Sequence, residues 1–152
     1  MKNALFFFSV LTLFFACDKE NESPAPVLSK TELLTGGNQK SWYIYSSSPE
    51  DPCGSSADDS WIFFANGTFE FNHGTVTDDE VNECGDFVNI EGTWEFTNNE
   101  TVLTIIALKE KGSTEDIGTM TLIEGEIYLL EGGRLVVTSE TPAASVEFRK
   151  RG

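Results

Sequence analysis

The chain has 152 residues, of which 39% are hydrophobic, and a formal net charge of −15. That length leaves room for one domain with a single core. The acidic excess argues against a nucleic-acid partner, because proteins that bind nucleic acids carry a basic surface and this chain has no Lys or Arg between residues 41 and 108.

Residues 1–16 have the parts of an export signal. Lys2 provides a short positive region, and residues 4–16 are almost entirely apolar. This apolar run is too short to span about 30 Å of hydrocarbon as a helix, so we expect no transmembrane anchor. Cys17 directly follows the small residue Ala16, and the segment resembles a bacterial lipoprotein signal in which this cysteine becomes the acylated first residue. The alternative is an ordinary secretory signal in which the cysteine is incidental.

Residues 17–29 are predicted to form a tether. They are acidic, contain two prolines and have too few apolar side chains to build a core. Acidic residues just after the lipidated cysteine resemble the surface-export signals of Bacteroidetes lipoproteins. The sequence therefore predicts a protein of the cell envelope that is lipid-anchored to the outer membrane, with a folded domain at residues 30–152. The signal favours exposure at the cell surface, and the periplasmic side is the alternative.

The cysteine count agrees with export. With Cys17 assigned to lipid, Cys53 and Cys84 remain in an oxidising compartment, which implies one disulfide bond. Closing a loop of about 32 residues would stabilise the fold by roughly 3–4 kcal/mol in the chain-entropy model. These two cysteines and the lone His73 are too few soft ligands for a metal site, so we expect no metal and no cofactor.

The first element of the domain is a short helix. The segment 29–37 reads SKTELLTGG and carries the signals of both helix ends. Ser29 fits an N-cap, Glu32 lies three residues further on as in a capping box, and Gly36 is placed to end the helix. The pattern predicts a helix of about one to two turns.

Every later segment is predicted to be strand or turn. The predicted strands are 40–46, two within the hairpin 61–71, two within the hairpin 91–106, and then 117–123, 126–130, 134–139 and 145–149. Gly125, Gly132 and Gly133 are predicted to mark turns between the last of these. Short strands without a long helix for parallel crossovers indicate an all-β, antiparallel barrel or sandwich. Closure is favoured, because a barrel removes exposed sheet edges.

The register of the 61–71 hairpin decides which aromatic side chains face inward. A two-residue turn at Asn66 and Gly67 would pair Phe64 with Phe69, as this dipeptide favours. A three-residue loop with Gly67 in the left-handed conformation would instead pair Phe63 with Phe69. We favour the second register, because it gathers four aromatic rings on one face. Those rings belong to Trp61, Phe63, Phe69 and Phe71.

Three stretches together carry a family resemblance. They are LLTGGNQKSW, CGSSADDSWIFFANGTF and ECGDFVNIEGTWEF, followed by short strands to the end of the chain. In this combination the chain resembles the lipocalin-like domain of many Bacteroidetes lipoproteins, over roughly Leu33 to Arg149. The resemblance implies an up-and-down β-barrel of about eight strands, with the helix near one end and a Cys53–Cys84 bond tying loops together. It implies a fold much more than a function.

The aromatic side chains are the strongest functional signal. Eight-stranded barrels are just wide enough to be filled by side chains or to hold one small ligand. We therefore predict a non-catalytic binding module for a small apolar or glycan-like ligand. The predicted contacts are Trp42, Trp61, Phe69 and Trp94. The alternative is a structural lipoprotein with a filled barrel, whose loops dock on another envelope protein.

Acidic side chains offer two further candidate sites, each with an ordinary alternative. Asp58 and Asp59 precede a strand. Their carboxylates could contact a ligand at the barrel mouth, or they could accept backbone N–H bonds in a turn, and we favour the turn. The loop at 77–86 is rich in carboxylates but lacks the spacing of a calcium-binding loop, so we interpret it as solvated. His73 is the only histidine and no nucleophile motif accompanies it, so we predict no enzyme and no catalytic residue.

Overall fold

The computed structural model describes residues 26–49, 58–74, 89–140 and 143–152. The elements in this part of the chain are α1 Lys30–Thr35, β1 Gln39–Ser48, β2 Ser60–Phe64, β3 Thr68–Asn72, β4 Ile90–Thr97, β5 Val102–Glu110, β6 Asp116–Glu131, β7 Arg134–Glu140 and β8 Ala143–Lys150. Within these ranges, no helix has the length and apolar character needed to cross a membrane.

The eight strands form a closed antiparallel barrel. Each strand pairs with the next one in the chain, and β8 pairs with β1 to close the ring. The predicted all-β, up-and-down barrel of about eight strands with a short N-terminal helix is therefore confirmed. Because the strands alternate in direction, α1 lies at the end where β1 begins, which we call the helix end. The opposite end, where β1, β3, β5 and β7 finish, is called the mouth.

Strand β6 corrects one predicted boundary. Segments 117–123 and 126–130 form a single strand, so the predicted turn at Gly125 is wrong. Gly125 is buried inside the strand, and a Cβ at this position would lie 2.5 Å from the carbonyl oxygen of Thr138. The glycine is required by the close approach of β7, a use that the sequence pattern does not distinguish from a turn.

Helix α1 has the predicted capping chemistry. Ser29 and Glu32 form a reciprocal capping box, and Gly36 ends the helix with φ of 66°. The helix packs against β1, β2 and β6. Strands β1 and β6 are not neighbours in the ring, so α1 spans the end of the barrel. Leu34 is fully buried there, and its carbonyl oxygen accepts a 2.8 Å hydrogen bond from Nε1 of Trp42.

The β2–β3 hairpin adopts the three-residue loop. Phe63 pairs with Phe69 and Trp61 with Phe71, and Gly67 has φ of 85°. The predicted register, with four rings on the inner face, is therefore confirmed. These rings join the buried side chains of the other strands to fill the helix end. The fully buried large apolar side chains of this core are Leu34, Trp42, Phe63, Phe69, Leu103, Ile105, Leu135 and Phe148.

The seam between β8 and its neighbours is held on the outer surface by Glu147. Its carboxylate accepts 2.9 Å bonds from Nε and Nη2 of Arg134 and a 3.0 Å bond from Nε of Arg149. These bonds, above all those from Arg134, hold the pKa of Glu147 below its usual value. The guanidinium of Arg149 in turn lies 3.4 Å from the ring centroid of Tyr45 on β1. The side chains of β7, β8 and β1 thus reinforce the closure of the ring.

Candidate functional site

A cavity of about 360 Å³ lies at the mouth of the barrel, and we call it the mouth cavity. Its described lining consists of Ile44, Ser47, Ser48, Pro49, Trp61, Phe71, Ile90, Leu122, Ile123, Ala144, Ser145 and Val146. Ser47 and Ser48 end β1 and Pro49 follows it, Ile90 begins β4, and Ala144 is near the start of β8. The cavity therefore lies on the side of the core opposite α1, where the described side chains do not fill the barrel.

The lining is apolar with a short polar strip. Ser48 and Ser145 pair across β1 and β8, and Ser47 lies beside them. No Asp, Glu, Lys or Arg belongs to the described lining. A second cavity of about 190 Å³ shares Leu122, Ile123, Ala144, Ser145 and Val146 and continues towards β7. Apolar walls with a few placed polar groups are typical of small-molecule sites.

Trp61 differs from the other two tryptophans in its hydrogen bonding. Nε1 of Trp42 donates to the carbonyl oxygen of Leu34, and Nε1 of Trp94 donates to that of Phe64 at 3.0 Å. Trp61 is 6% exposed, and its Nε1 is buried without a partner in the part of the chain that the structure describes. A buried donor left unpaired costs about 1–3 kcal/mol.

The four predicted ligand contacts lie at different depths. Trp61 lines the mouth cavity, whereas Trp42, Phe69 and Trp94 are buried in the core outside its lining. Sequence reasoning did not single out Ile44, which also lines the cavity. The sequence pattern that could have identified Ile44 is the two-residue period of β1, which puts this residue on the same face as Trp42 and nearer the mouth. The lining contributed by β6 and β8 has no comparable aromatic signal.

Asp59 connects the mouth-side ends of β2 and β3. Its carboxylate Oδ1 accepts a 3.0 Å bond from the backbone N–H of Gly74 and lies 3.3 Å from Nδ1 of His73. The His73 ring packs edge-on against Phe71, with 4.5 Å between centroids. Asp59 is only 2% exposed, and its carboxylate is used within the fold. Asp58 is exposed.

Several predicted features lie outside the described residues. They are the signal segment with Cys17, most of the tether, both cysteines of the predicted disulfide, Cys53 and Cys84, and the acidic loop at 77–86. Each of these stays a prediction. Across the described ranges, no three His, Cys, Asp or Glu side chains are grouped as metal ligands would be.

Comparison of the chain with protein-family models, curated proteins and solved structures finds no match in any of the three. The barrel architecture therefore rests on the strand pairing itself. The resemblance to a lipocalin-like domain stays a prediction.

Proposed function

We propose that this protein is a lipid-anchored, non-catalytic binding module of the cell envelope, whose mouth cavity holds a small apolar ligand. The observation that carries the proposal is the 360 Å³ cavity walled by apolar side chains of the barrel. Ligand sites in proteins measure about 300–1,000 Å³, so this cavity suits a small ligand. The filled-barrel alternative is less well supported, because the described core side chains leave this cavity open on the mouth side.

The lining favours an apolar ligand over a glycan. A sugar presents a hydroxyl on most of its carbons, and each buried hydroxyl needs a partner. The described lining offers three serines beside a majority of apolar side chains. Burial of apolar ligand surface contributes about 25 cal/mol per Å², and this is the main source of affinity that such walls provide.

The lining residues are positioned by regular structure. Ile44, Trp61 and Phe71 are held on paired strands, with Trp61 directly opposite Phe71. The ring centroids of Trp61 and Phe71 lie 4.7 Å apart. A wall whose side chains are fixed before binding loses little conformational entropy when a ligand enters, and this favours affinity.

The proposal is tested by titrating the purified full chain with N-phenyl-1-naphthylamine, a neutral apolar dye that fluoresces in apolar sites. We expect saturable binding of one dye per chain. Ala144→Phe places a ring into the cavity and is expected to weaken binding by about tenfold or more, since it fills the volume that the dye needs. Ala143→Phe is the matched control, because Ala143 is exposed and outside the described lining.

The fluorescence of the two variants separates the outcomes. Unchanged binding in Ala143→Phe with weak binding in Ala144→Phe would support the mouth cavity as the site. Equal binding by both variants, or a fluorescence rise that never saturates, would contradict the proposal. Thermal unfolding of each variant checks that both remain folded.

A further inference from the structure

We propose that an exposed edge of β6 near the mouth binds an extended segment of a partner protein by strand addition, and that this segment alternates apolar and basic side chains. The proposal goes beyond the ligand of the mouth cavity and does not depend on it. It starts from the unequal lengths of two neighbouring strands, because β6 has 16 residues and β7 has 7.

Part of β6 has a partner strand on one side only. Residues 119–124 lie within the part of β6 that pairs with β5. On the other side of β6, the ladder with β7 ends at the pair Glu126 and Thr138. Strand β7 continues to Glu140, but beyond Thr138 it pairs with β8 alone. The backbone N–H and C=O groups of residues 119–124 that point away from β5 therefore meet no described strand, and we call this segment the β6 edge.

The β6 edge is open to solvent and carries little protection against pairing. Thr119, Met120, Thr121 and Glu124 are all exposed. Proteins usually protect such edges with Lys, Pro or bulges, because unpaired backbone groups are a template for another strand. The β6 edge has no Lys, Arg or Pro, and its protection consists of the register shifts in the ladder with β5. An added strand would find its hydrogen-bonding partners already in place.

The inner side of the gap between β6 and β7 is apolar. The cavity of about 190 Å³ is lined there by Leu122 and Ile123 from the β6 edge and by Val137 from β7. Ile123 is paired with the fully buried Ile105, which puts its side chain on the inner face of the barrel. Successive side chains of a strand point to opposite faces of a sheet, so every second side chain of an added strand would enter this cavity. Apolar side chains suit its walls.

The outer side of the same gap is acidic. A groove of about 620 Å³ lies there, with Glu124, Glu126 and Glu140 in its lining, and we call it the acidic groove. All three side chains are exposed, and none forms an ion pair in the described part of the chain. The outward side chains of an added strand would meet these carboxylates, so charge complementarity selects Lys or Arg at those positions. A second copy of this edge would instead add further carboxylates to the groove.

The probe is a seven-residue peptide that alternates valine and lysine, is blocked at both ends and is long enough to span the β6 edge. Titrated into the full chain, it is expected to bind saturably with one peptide per chain, and more weakly as salt screens the exposed charges. A peptide that alternates valine and glutamate is the charge control and is expected not to bind. The valine–lysine peptide methylated on every backbone nitrogen keeps its charges but has no N–H to donate, and it is also expected not to bind.

Substitutions in the acidic groove test the charge complementarity. Glu124→Gln and Glu140→Gln each remove one negative charge, and each is expected to weaken binding of the valine–lysine peptide roughly twofold to fivefold, the value of one exposed ion pair. Glu95→Gln is the matched control, because Glu95 is exposed on β4 and lies outside the lining of the acidic groove. This control is expected to bind the peptide as the unmodified chain does.

Hydrogen exchange measures the strand addition directly. Backbone amides of the β6 edge that point away from β5 are expected to exchange more slowly when the valine–lysine peptide is bound, because pairing protects them from solvent. The methylated peptide is expected to leave their exchange unchanged. Charge attraction without strand pairing would produce no such protection.

The outcomes separate this proposal from its alternatives. Saturable binding of the valine–lysine peptide together with slowed exchange at the β6 edge would support it. No binding, binding that survives backbone methylation, or slowed exchange only elsewhere would overturn strand addition, and tighter binding of the glutamate peptide would overturn a basic partner. Slowed exchange of the same amides on raising the chain concentration without peptide would assign the edge to a second copy instead. Binding of N-phenyl-1-naphthylamine is measured separately, so failure here leaves the proposed function standing.

Discussion

Phe63→Ala is expected to lower the free energy of unfolding by about 3–5 kcal/mol, the cost of removing a large aromatic side chain from a packed core. Phe63 is fully buried at the helix end. Its ring packs against Phe69 at 6.4 Å, Trp94 at 6.3 Å and Phe148 at 6.5 Å between centroids. Truncation would leave a void surrounded by side chains from three other strands, and rigid strands cannot collapse fully around it.

The adjacent residue provides the control. Phe64 is partly exposed and points to the outer face of β2. Phe64→Ala is expected to cost about 1 kcal/mol, because little packed volume is lost. Urea unfolding of the two variants, followed by tryptophan fluorescence, measures the difference. A larger loss in Phe64→Ala than in Phe63→Ala would contradict the three-residue hairpin loop, since the two-residue turn would have put Phe64 opposite Phe69 on the inner face.

Cys17→Ser is expected to move the protein from the membrane fraction to the soluble fraction. An acyl chain contributes about 0.8 kcal/mol for each CH₂ buried in the bilayer, so two or three chains hold a protein almost completely. Loss of the lipid would therefore remove the proposed attachment.

Fractionation of cells that express each form measures the effect, with Cys53→Ser as the matched control. The control loses one cysteine of the predicted disulfide but keeps Cys17, and it is expected to stay with the membranes. Retention of Cys17→Ser in the membrane fraction would contradict lipid anchoring through this residue. Release of both variants would point to a general effect of losing a cysteine.

The parts of the fold that were predictable are those set by local chemistry. Ser29, Glu32 and Gly36 lie at fixed offsets that determine both ends of α1. The β2–β3 register followed from a choice between two loop lengths, and the aromatic area gained on the inner face decided it. In both cases the relevant partners are within a few residues of each other in the chain.

Gly125 is a position at which local sequence signals are not sufficient to predict the structure. Glycine serves in turns and in strands that another backbone approaches closely, and the surrounding sequence looks similar in the two cases. The approach of Thr138 to Gly125 depends on how β7 returns along β6, which is a long-range property. The prediction of a turn used only the local signal, whereas β6 continues through Gly125 as one strand.

The candidate site was only partly predictable for the same reason. The aromatic residues Trp42, Trp61, Phe69 and Trp94 were grouped because their side chains are large, and the barrel assigns them to different depths. Depth depends on strand stagger and on where α1 spans the barrel. Val146 became a candidate only when closure of the ring brought β8 beside β1.

The measurement that tests the central claim most directly is a nuclear Overhauser experiment on the full chain with bound N-phenyl-1-naphthylamine. We predict contacts between the dye protons and the methyl groups of Ile44, Ile90 and Val146, which line the mouth cavity. Contacts confined to Tyr45 and Tyr128, whose side chains are 54% and 80% exposed and outside the described lining, would place the dye outside the mouth cavity and contradict the account.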